Sequence, residues 1–111
     1  MNCLFCSIVE GKIPASKVYE NDSVIAFDDI NPQAPTHVLV IPKTHYENAA
    51  ELAANDAQTL GELFSVARKV ADERLLTGYR TVFNTGADAG QTVFHAHLHL
   101  LGGRSLTWPP G

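Results

Sequence analysis

The chain has 111 residues, of which 45% are hydrophobic and 18% charged, enough for one domain whose core needs no disulfide. A formal net charge of -4 and the lack of a basic run argue against binding to nucleic-acid backbones. Because the sequence has no apolar run of membrane length and no signal-peptide pattern, we expect a cytoplasmic protein that binds neither nucleic acid nor membranes.

The first half of the chain predicts a short helix followed by three strands. Residues 3–10 have the pattern of a short helix or turn that ends before Gly11. Residues 17–20 and 24–28 have the pattern of two strands joined by a polar turn. After a Pro-containing loop, residues 36–42 are almost uniformly apolar, which is typical of a central strand covered on both faces.

The second half predicts one long helix and two more strands. Apolar residues recur at helical spacing from Asn55, a suitable N-cap, to about Leu75. Residues 79–84 have strand character, and residues 105–111 form a Pro-rich C-terminal tail. The chain therefore predicts a single α+β domain over 1–111, with the long helix packed on an antiparallel sheet.

Residues 95–101 read HAHLHLL, so that imidazoles alternate with small or apolar side chains. The alternation predicts a strand with three histidines on one face and apolar residues on the other. A row of imidazoles makes a poor core, since each buried ring needs hydrogen-bond partners. Near neutral pH the row suits proton transfer, nucleophilic attack or metal binding, and the pattern alone leaves all three open.

This segment matches the His-x-His-x-His-x-x motif of the histidine triad superfamily, and further segments resemble its Hint branch in the same order. They are FDDI at 27–30, PQAPTH at 32–37, VIPK at 40–43, NTG at 84–86, GQTV at 90–93 and WPPG at 108–111. The resemblance spans most of the chain. It implies a five-stranded antiparallel sheet with one long helix and a short N-terminal helix, and a homodimer that pairs through the helix and the strand at 79–84.

The resemblance also implies a hydrolase that acts at the α-phosphate of nucleotides, with purine nucleoside phosphoramidates as the substrates of Hint-like members. His97, the middle histidine, would attack phosphorus and form a nucleotidyl-histidine intermediate that water hydrolyses. His99 and His37 would flank the phosphate and assist proton transfer. Thr92 would supply a hydroxyl where Hint-like proteins usually carry serine.

Nucleotide binding is implied for a larger set of residues that hold the phosphate, the ribose and the base. Asp29 would accept from the ribose hydroxyls, and Phe27 and Ile30 would form an apolar slot for the base without deciding between adenine and guanine. Trp108 would lie near the active site of the partner subunit. The full set is Phe27, Asp29, Ile30, Asn84, Gly90, Gln91, Thr92, Val93, His97, His99 and Trp108.

A second constellation joins the two cysteines to the two histidines that the phosphate site does not use. Cys3 and Cys6 form a Cys-x-x-Cys pair, and His45 and His95 complete a Cys₂His₂ set, the composition of a closed structural zinc site. Some bacterial members of the superfamily carry this arrangement. The alternatives are unligated thiols, a redox pair, or a metal shared by His95 and His97. We expect structural zinc and no organic cofactor.

Two other functions stay open at this point. A dinucleoside polyphosphate hydrolase would use similar histidine chemistry, although GGR at 102–104 and the WPPG ending disfavour it. A zinc-stabilised nucleotide-binding or interaction module, in which catalysis is incidental, belongs to a different class. It predicts tight nucleotide binding with negligible hydrolysis of phosphoramidates.

Overall fold

The computed structural model describes residues 3–111, and a five-stranded antiparallel sheet forms its centre. The strands follow the spatial order β1-β2-β3-β5-β4. Their bounds are β1 Lys17–Glu20, β2 Val24–Asp28, β3 Thr36–Pro42, β4 Tyr79–Val82 and β5 Leu98–Gly102. The helices are α1 Leu4–Val9, α2 Ala49–Asn55 and α3 Ala57–Glu73, and a short 3₁₀ helix spans Ala87–Ala89. This architecture confirms the predicted α+β class and five-stranded sheet.

The two faces of the sheet carry different covers, and side-chain alternation along the strands decides which residues meet each one. Val38 and Val40 of β3 point to the face on which α2 and α3 pack. Leu39 and Ile41 point to the opposite face, where α1 packs. All seven residues of β3 are buried, as its almost uniformly apolar sequence predicts. His37 lies on the α1 face as well, since it is two residues before Leu39.

Helix α3 is amphipathic and buries one stripe of side chains against the sheet, namely Leu63, Val66, Ala67, Val70 and Ala71. Its N-cap is Asp56, whose carboxylate accepts from the backbone N–H of Thr59 at 3.2 Å. The prediction of Asn55 as the cap was wrong, because Asn55 is the last residue of a separate helix, α2. In the described residues, no helix has both the length and the apolar composition needed to cross a membrane.

Two predicted strands have different bounds in the structure. Strand β4 ends at Val82 rather than Asn84. Strand β5 begins only at Leu98, so His95 and His97 precede it. The backbone explains this start, since Ala96 N–H donates to the carbonyl of Tyr46 at 2.7 Å, outside the ladder between β3 and β5. The histidine segment therefore changes partners along its length, and its first two histidines sit in irregular backbone.

Candidate active site and metal centre

A mostly apolar cavity of about 380 Å³ opens on the face of the sheet that α1 covers. Its walls come from α1, the segment after it, β2, the loop after β2, β3, residues 92–93 and the histidine segment. A larger groove of about 600 Å³ beside β4 contains none of the predicted site residues. The smaller cavity is lined by Leu4, Phe5, Ile8, Ile13, Pro14, Ala15, Phe27, Asp28, Asp29, Ile30, Leu39, Thr92, Val93, His97 and His99.

His97 lines this cavity with a ring whose tautomer is fixed by the backbone. Its Nδ1 lies 2.8 Å from the carbonyl oxygen of His95, which can only accept, so Nδ1 carries the proton. The second nitrogen, Nε2, keeps its lone pair. Burial lowers the pKa of His97 below its ordinary value, with the hydrogen bond to His95 and the charge of Asp29 opposing the shift. The ring is therefore neutral and nucleophilic near neutral pH.

His99 is oriented through a chain of hydrogen bonds that begins at a backbone amide. Gln33 N–H donates to Nδ1 of the buried His37 at 3.0 Å, so the proton of neutral His37 lies on Nε2. That nitrogen lies 2.9 Å from His99 Nδ1, to which it donates. The proton of neutral His99 is then on Nε2. Burial first, then the neighbouring His97 and His37, lower the pKa of His99 to about 4.

Asp29 lies where the cavity meets the hydrogen bonds of His37 and His99. One carboxylate oxygen accepts from Asn31 N–H at 2.8 Å, and the other lies 3.4 Å from His37 Nε2. Asp29, His37 and His99 bring their donor atoms within 4.8 Å of one another, a spacing that also occurs in metal sites. The proton on His37 Nε2 prevents that atom from binding a metal, so the geometry favours a hydrogen-bonded chain over a metal site.

Cys3, Cys6, His45 and His95 form a second cluster, here called the Cys₂His₂ cluster, next to this site. His95 Nδ1 lies 3.4 Å from Cys3 Sγ and 3.6 Å from Cys6 Sγ. His45 Nδ1 lies 3.4 Å from Cys6 Sγ and 3.2 Å from His95 Nδ1. The structure thus brings together all four residues of the predicted metal set from three separate parts of the chain.

The dimensions of the Cys₂His₂ cluster fit a tetrahedral zinc ion. Zn–N and Zn–S bonds of ordinary length give tetrahedral edges of about 3.4 Å between two nitrogens and about 3.6 Å between nitrogen and sulphur. His95 Nε2 lies 2.8 Å from the carbonyl of Pro42, so the proton sits there and Nδ1 is left as a ligand. Burial, and then the nearby Cys3, raise the pKa of Cys6 to about 11, a shift that a bound cation would oppose.

Comparison with known proteins agrees with this geometry. A family model described as "Scavenger mRNA decapping enzyme C-term binding" matches residues 2–107. An uncharacterized HIT-like protein of Synechococcus elongatus is 52% identical over 109 residues, covering 97% of this chain and 96% of its own. The chain belongs to the histidine triad (HIT) family.

Two further relatives bear on the fold and on the Cys₂His₂ cluster. A crystal structure of a HIT family hydrolase from Legionella pneumophila has a TM-score of 0.95 and 50% sequence identity, covering 99% of this chain and 100% of that one. A 14 kDa zinc-binding protein of Zea mays is 48% identical over 111 residues, covering 97% of this chain and 87% of its own. The Legionella structure has the same fold from end to end, so this chain has the HIT fold.

Four residues of the predicted nucleotide-binding set do not line the 380 Å³ cavity, namely Asn84, Gly90, Gln91 and Trp108. Trp108 is 82% exposed on the C-terminal tail. Gly90 has a φ of +92°, a value that glycine adopts readily, and ends the 3₁₀ helix. Gln91 is buried, and its side chain forms hydrogen bonds to the backbone of neighbouring segments. The motif alone does not show these contacts.

The sequence interpretation missed the wall that α1 contributes. Phe5 packs edge-to-face on Phe27 with 5.5 Å between ring centroids, and on His97 with 5.1 Å. Ile8 lies on the same side of α1, three residues later, and is buried in the same cluster. The apolar i, i+3 pair is visible in the sequence, but only the tertiary structure shows that it lines the same cavity as His97 and His99.

Proposed function

We propose that this HIT protein is a nucleotide hydrolase that acts at the α-phosphate, with purine nucleoside 5′-phosphoramidates as its substrates. One observation carries the proposal: His97, held by the His95 carbonyl, presents a neutral Nε2 in a cavity of mostly apolar lining. A fixed, neutral imidazole is the form required for nucleophilic attack. The hydrolase name of the Legionella relative supports the reaction class.

In the first step, His97 Nε2 forms a bond to phosphorus as the P–N bond of the substrate breaks. The leaving amine takes up a proton from water through the hydroxyl of Thr92, and the nucleotidyl group stays on His97. His99, whose neutral ring carries its proton on Nε2, donates a hydrogen bond to a phosphoryl oxygen and stabilises its developing charge. His37 holds His99 in this orientation from behind, while the exposed Thr92 at the cavity wall offers its hydroxyl to the leaving group.

In the second step, water attacks phosphorus and gives up a proton to solvent as the bond between phosphorus and His97 Nε2 breaks. The products are the nucleoside 5′-monophosphate and a regenerated neutral His97. The carbonyl of His95 supports both steps, because it stabilises the partial positive charge that His97 gains while it is bonded to phosphorus.

The nucleoside end of the substrate fits the remaining walls of the cavity. Asp29 has a carboxylate at the rim that can accept from both ribose hydroxyls. Phe27, which is buried, and Ile30, which is fully exposed, would hold the base between them. These contacts are apolar and set by shape, so they accept a purine without selecting adenine or guanine.

Zinc is the cation that we propose for the Cys₂His₂ cluster. Four protein ligands leave no open position for substrate, so the metal has a structural role there. The distances between the donor atoms and the name of the Zea mays relative support this assignment.

A homodimer is the assembly that we propose. Strand β4 is an edge strand, and an uncovered edge is a ready site for pairing with a second chain. Phe64 of α3 and Tyr79 of β4 are each 44% exposed, which leaves aromatic surface beside this edge. Sedimentation should give the mass of two chains for the wild type and of one chain for Phe64→Glu. A monomeric wild type would contradict the proposal.

Hydrolysis of adenosine 5′-phosphoramidate tests the proposed activity. The wild type should release ammonia and adenosine 5′-monophosphate, while His97→Ala should lose at least about 10³-fold in turnover and still bind the monophosphate. Diadenosine polyphosphate should be a poorer substrate in the same assay. Full activity of His97→Ala would refute the proposal. Tight binding without measurable hydrolysis would favour a binding module.

A further inference from the structure

Helix α1 connects the Cys₂His₂ cluster to the cavity, because residues of this short segment belong to both. Cys3, its N-cap, and Cys6 belong to the Cys₂His₂ cluster. Phe5 and Ile8 line the cavity. Phe5 also packs against both histidines of the adjacent segment, with ring centroids 6.0 Å from His95 and 5.1 Å from His97. The same short stretch therefore carries two of the four donor atoms and part of the cavity wall.

The length of α1 makes it dependent on these attachments. It has only six residues, and helices shorter than about 12–15 residues are marginal in water without tertiary contacts. The described contacts that fasten it are the packing of Phe5 and Ile8 on the sheet and the approach of the two thiols to His45 and His95. Bonds to a shared cation would replace the second of these with a rigid link.

We propose that Cys3 and Cys6 are positioning residues for the nucleoside end of the cavity. A divalent cation in the Cys₂His₂ cluster fastens α1 in place, and the wall formed by Phe5 and Ile8 then holds the base. This inference rests on the proposed nucleotide function and adds a thermodynamic link to it. Two thiolates balance the charge of a divalent cation, so the link acts through packing and not through a long-range field.

Linkage requires that the effect run both ways. If the cation strengthens nucleotide binding by some factor, the nucleotide strengthens cation binding by the same factor. Couplings between sites typically lie in the range of about 5–150-fold. We expect at least about a 10-fold factor here, since the cavity loses one of its apolar walls when α1 moves.

The test is a calorimetric titration of adenosine 5′-monophosphate into zinc-loaded and chelator-treated protein. Affinity should fall by about 10-fold or more without zinc, whereas inorganic phosphate should bind both forms alike. In the reciprocal measurement, a competing chromophoric chelator should report zinc binding that is tighter by the same factor when the monophosphate is present. This second measurement needs no variant.

Two variants show whether α1 transmits the effect. Phe5→Ala keeps all four donor atoms, so it should still bind zinc but bind the monophosphate weakly with or without it. Ser7 lies on the same helix but belongs neither to the Cys₂His₂ cluster nor to the cavity lining. Ser7→Ala should therefore show the same dependence of monophosphate affinity on zinc as the wild type. Hydrogen exchange should rise in α1 on zinc removal and stay slow in α3, which separates local release from unfolding.

Equal affinity of zinc-loaded and zinc-free protein for the monophosphate would overturn this inference and leave the proposed function standing. The same holds if inorganic phosphate shows the whole effect, or if α3 loses its protection together with α1. A monophosphate that binds neither form would refute the nucleotide function itself.

Discussion

The Gln91 side chain is predicted to stabilise the loops that surround the cavity and the Cys₂His₂ cluster, and Gln91→Ala tests this. The side chain is only 3% exposed. Its carbonyl oxygen accepts from Gly86 N–H at 2.8 Å, and its amide donates to the carbonyls of Glu47 and Val93 at 2.8 and 3.1 Å. One side chain thus links the 84–91 loop, the segment that follows His45, and the residues that lead into the histidine segment.

The magnitude follows from these three hydrogen bonds. Each contributes about 1 kcal/mol net, and a buried partner left unpaired costs about 1–3 kcal/mol. Water entering the vacated space will satisfy some of the partners, so we expect Gln91→Ala to lower the free energy of unfolding by about 3 kcal/mol. A domain of ordinary stability, about 5–15 kcal/mol, stays folded after such a loss.

Urea unfolding measures this loss, and Gln58→Ala is the matched control. Gln58 is exposed on α3, so its truncation should change stability by less than about 0.5 kcal/mol. A Gln91→Ala variant as stable as Gln58→Ala would refute the bracing function inferred from these bonds.

Two further predictions concern acid stability and helix capping. Because the pKa of His99 is about 4 in the folded protein, the unfolded chain takes up its proton first as pH falls below about 6.5. Between neutral pH and about pH 4.5, His99 should therefore lower the free energy of unfolding by about 2 kcal/mol, allowing for its partial exposure. Urea unfolding of His99→Gln should show a correspondingly smaller decrease over the same pH range. Equal decreases in the two proteins would contradict the lowered pKa of His99. Asp56→Ala should cost about 1 kcal/mol in thermal unfolding by removing the α3 cap, and Asn55→Ala should cost less; the reverse order would restore the original sequence prediction.

The strands that precede the long helix were predictable because their patterns are local. The bounds of β1, β2 and β3 in the structure match the predicted segments, and β3 has the almost uniformly apolar sequence of a strand covered on both faces. Helix α2 was missed because it buries a single side chain, Leu52, and so shows no apolar periodicity. Its signal was the cap, since Asn48 accepts from Glu51 N–H at 2.9 Å.

The candidate site divides in the same way between local and tertiary information. The alternation marked the three histidines as functional candidates, and the resemblance to the histidine triad superfamily assigned His97 and His99 to the phosphate. The two cysteines and the two remaining histidines then predicted the Cys₂His₂ cluster. The start of β5 depends on the contact between Ala96 and Tyr46, and the α1 wall depends on where Phe5 packs. Both are contacts between distant parts of the chain, which no local pattern specifies.

A bond between His97 and phosphorus is the decisive step of the proposed reaction, and detection of the covalent intermediate tests it most directly. Protein quenched in base during turnover of adenosine 5′-phosphoramidate should carry an adenylyl group, and fragmentation of the proteolytic peptide should place it on His97. His97→Ala should carry none. An adenylyl group on His99, or turnover that proceeds with no protein-bound adenylyl group, would contradict the account.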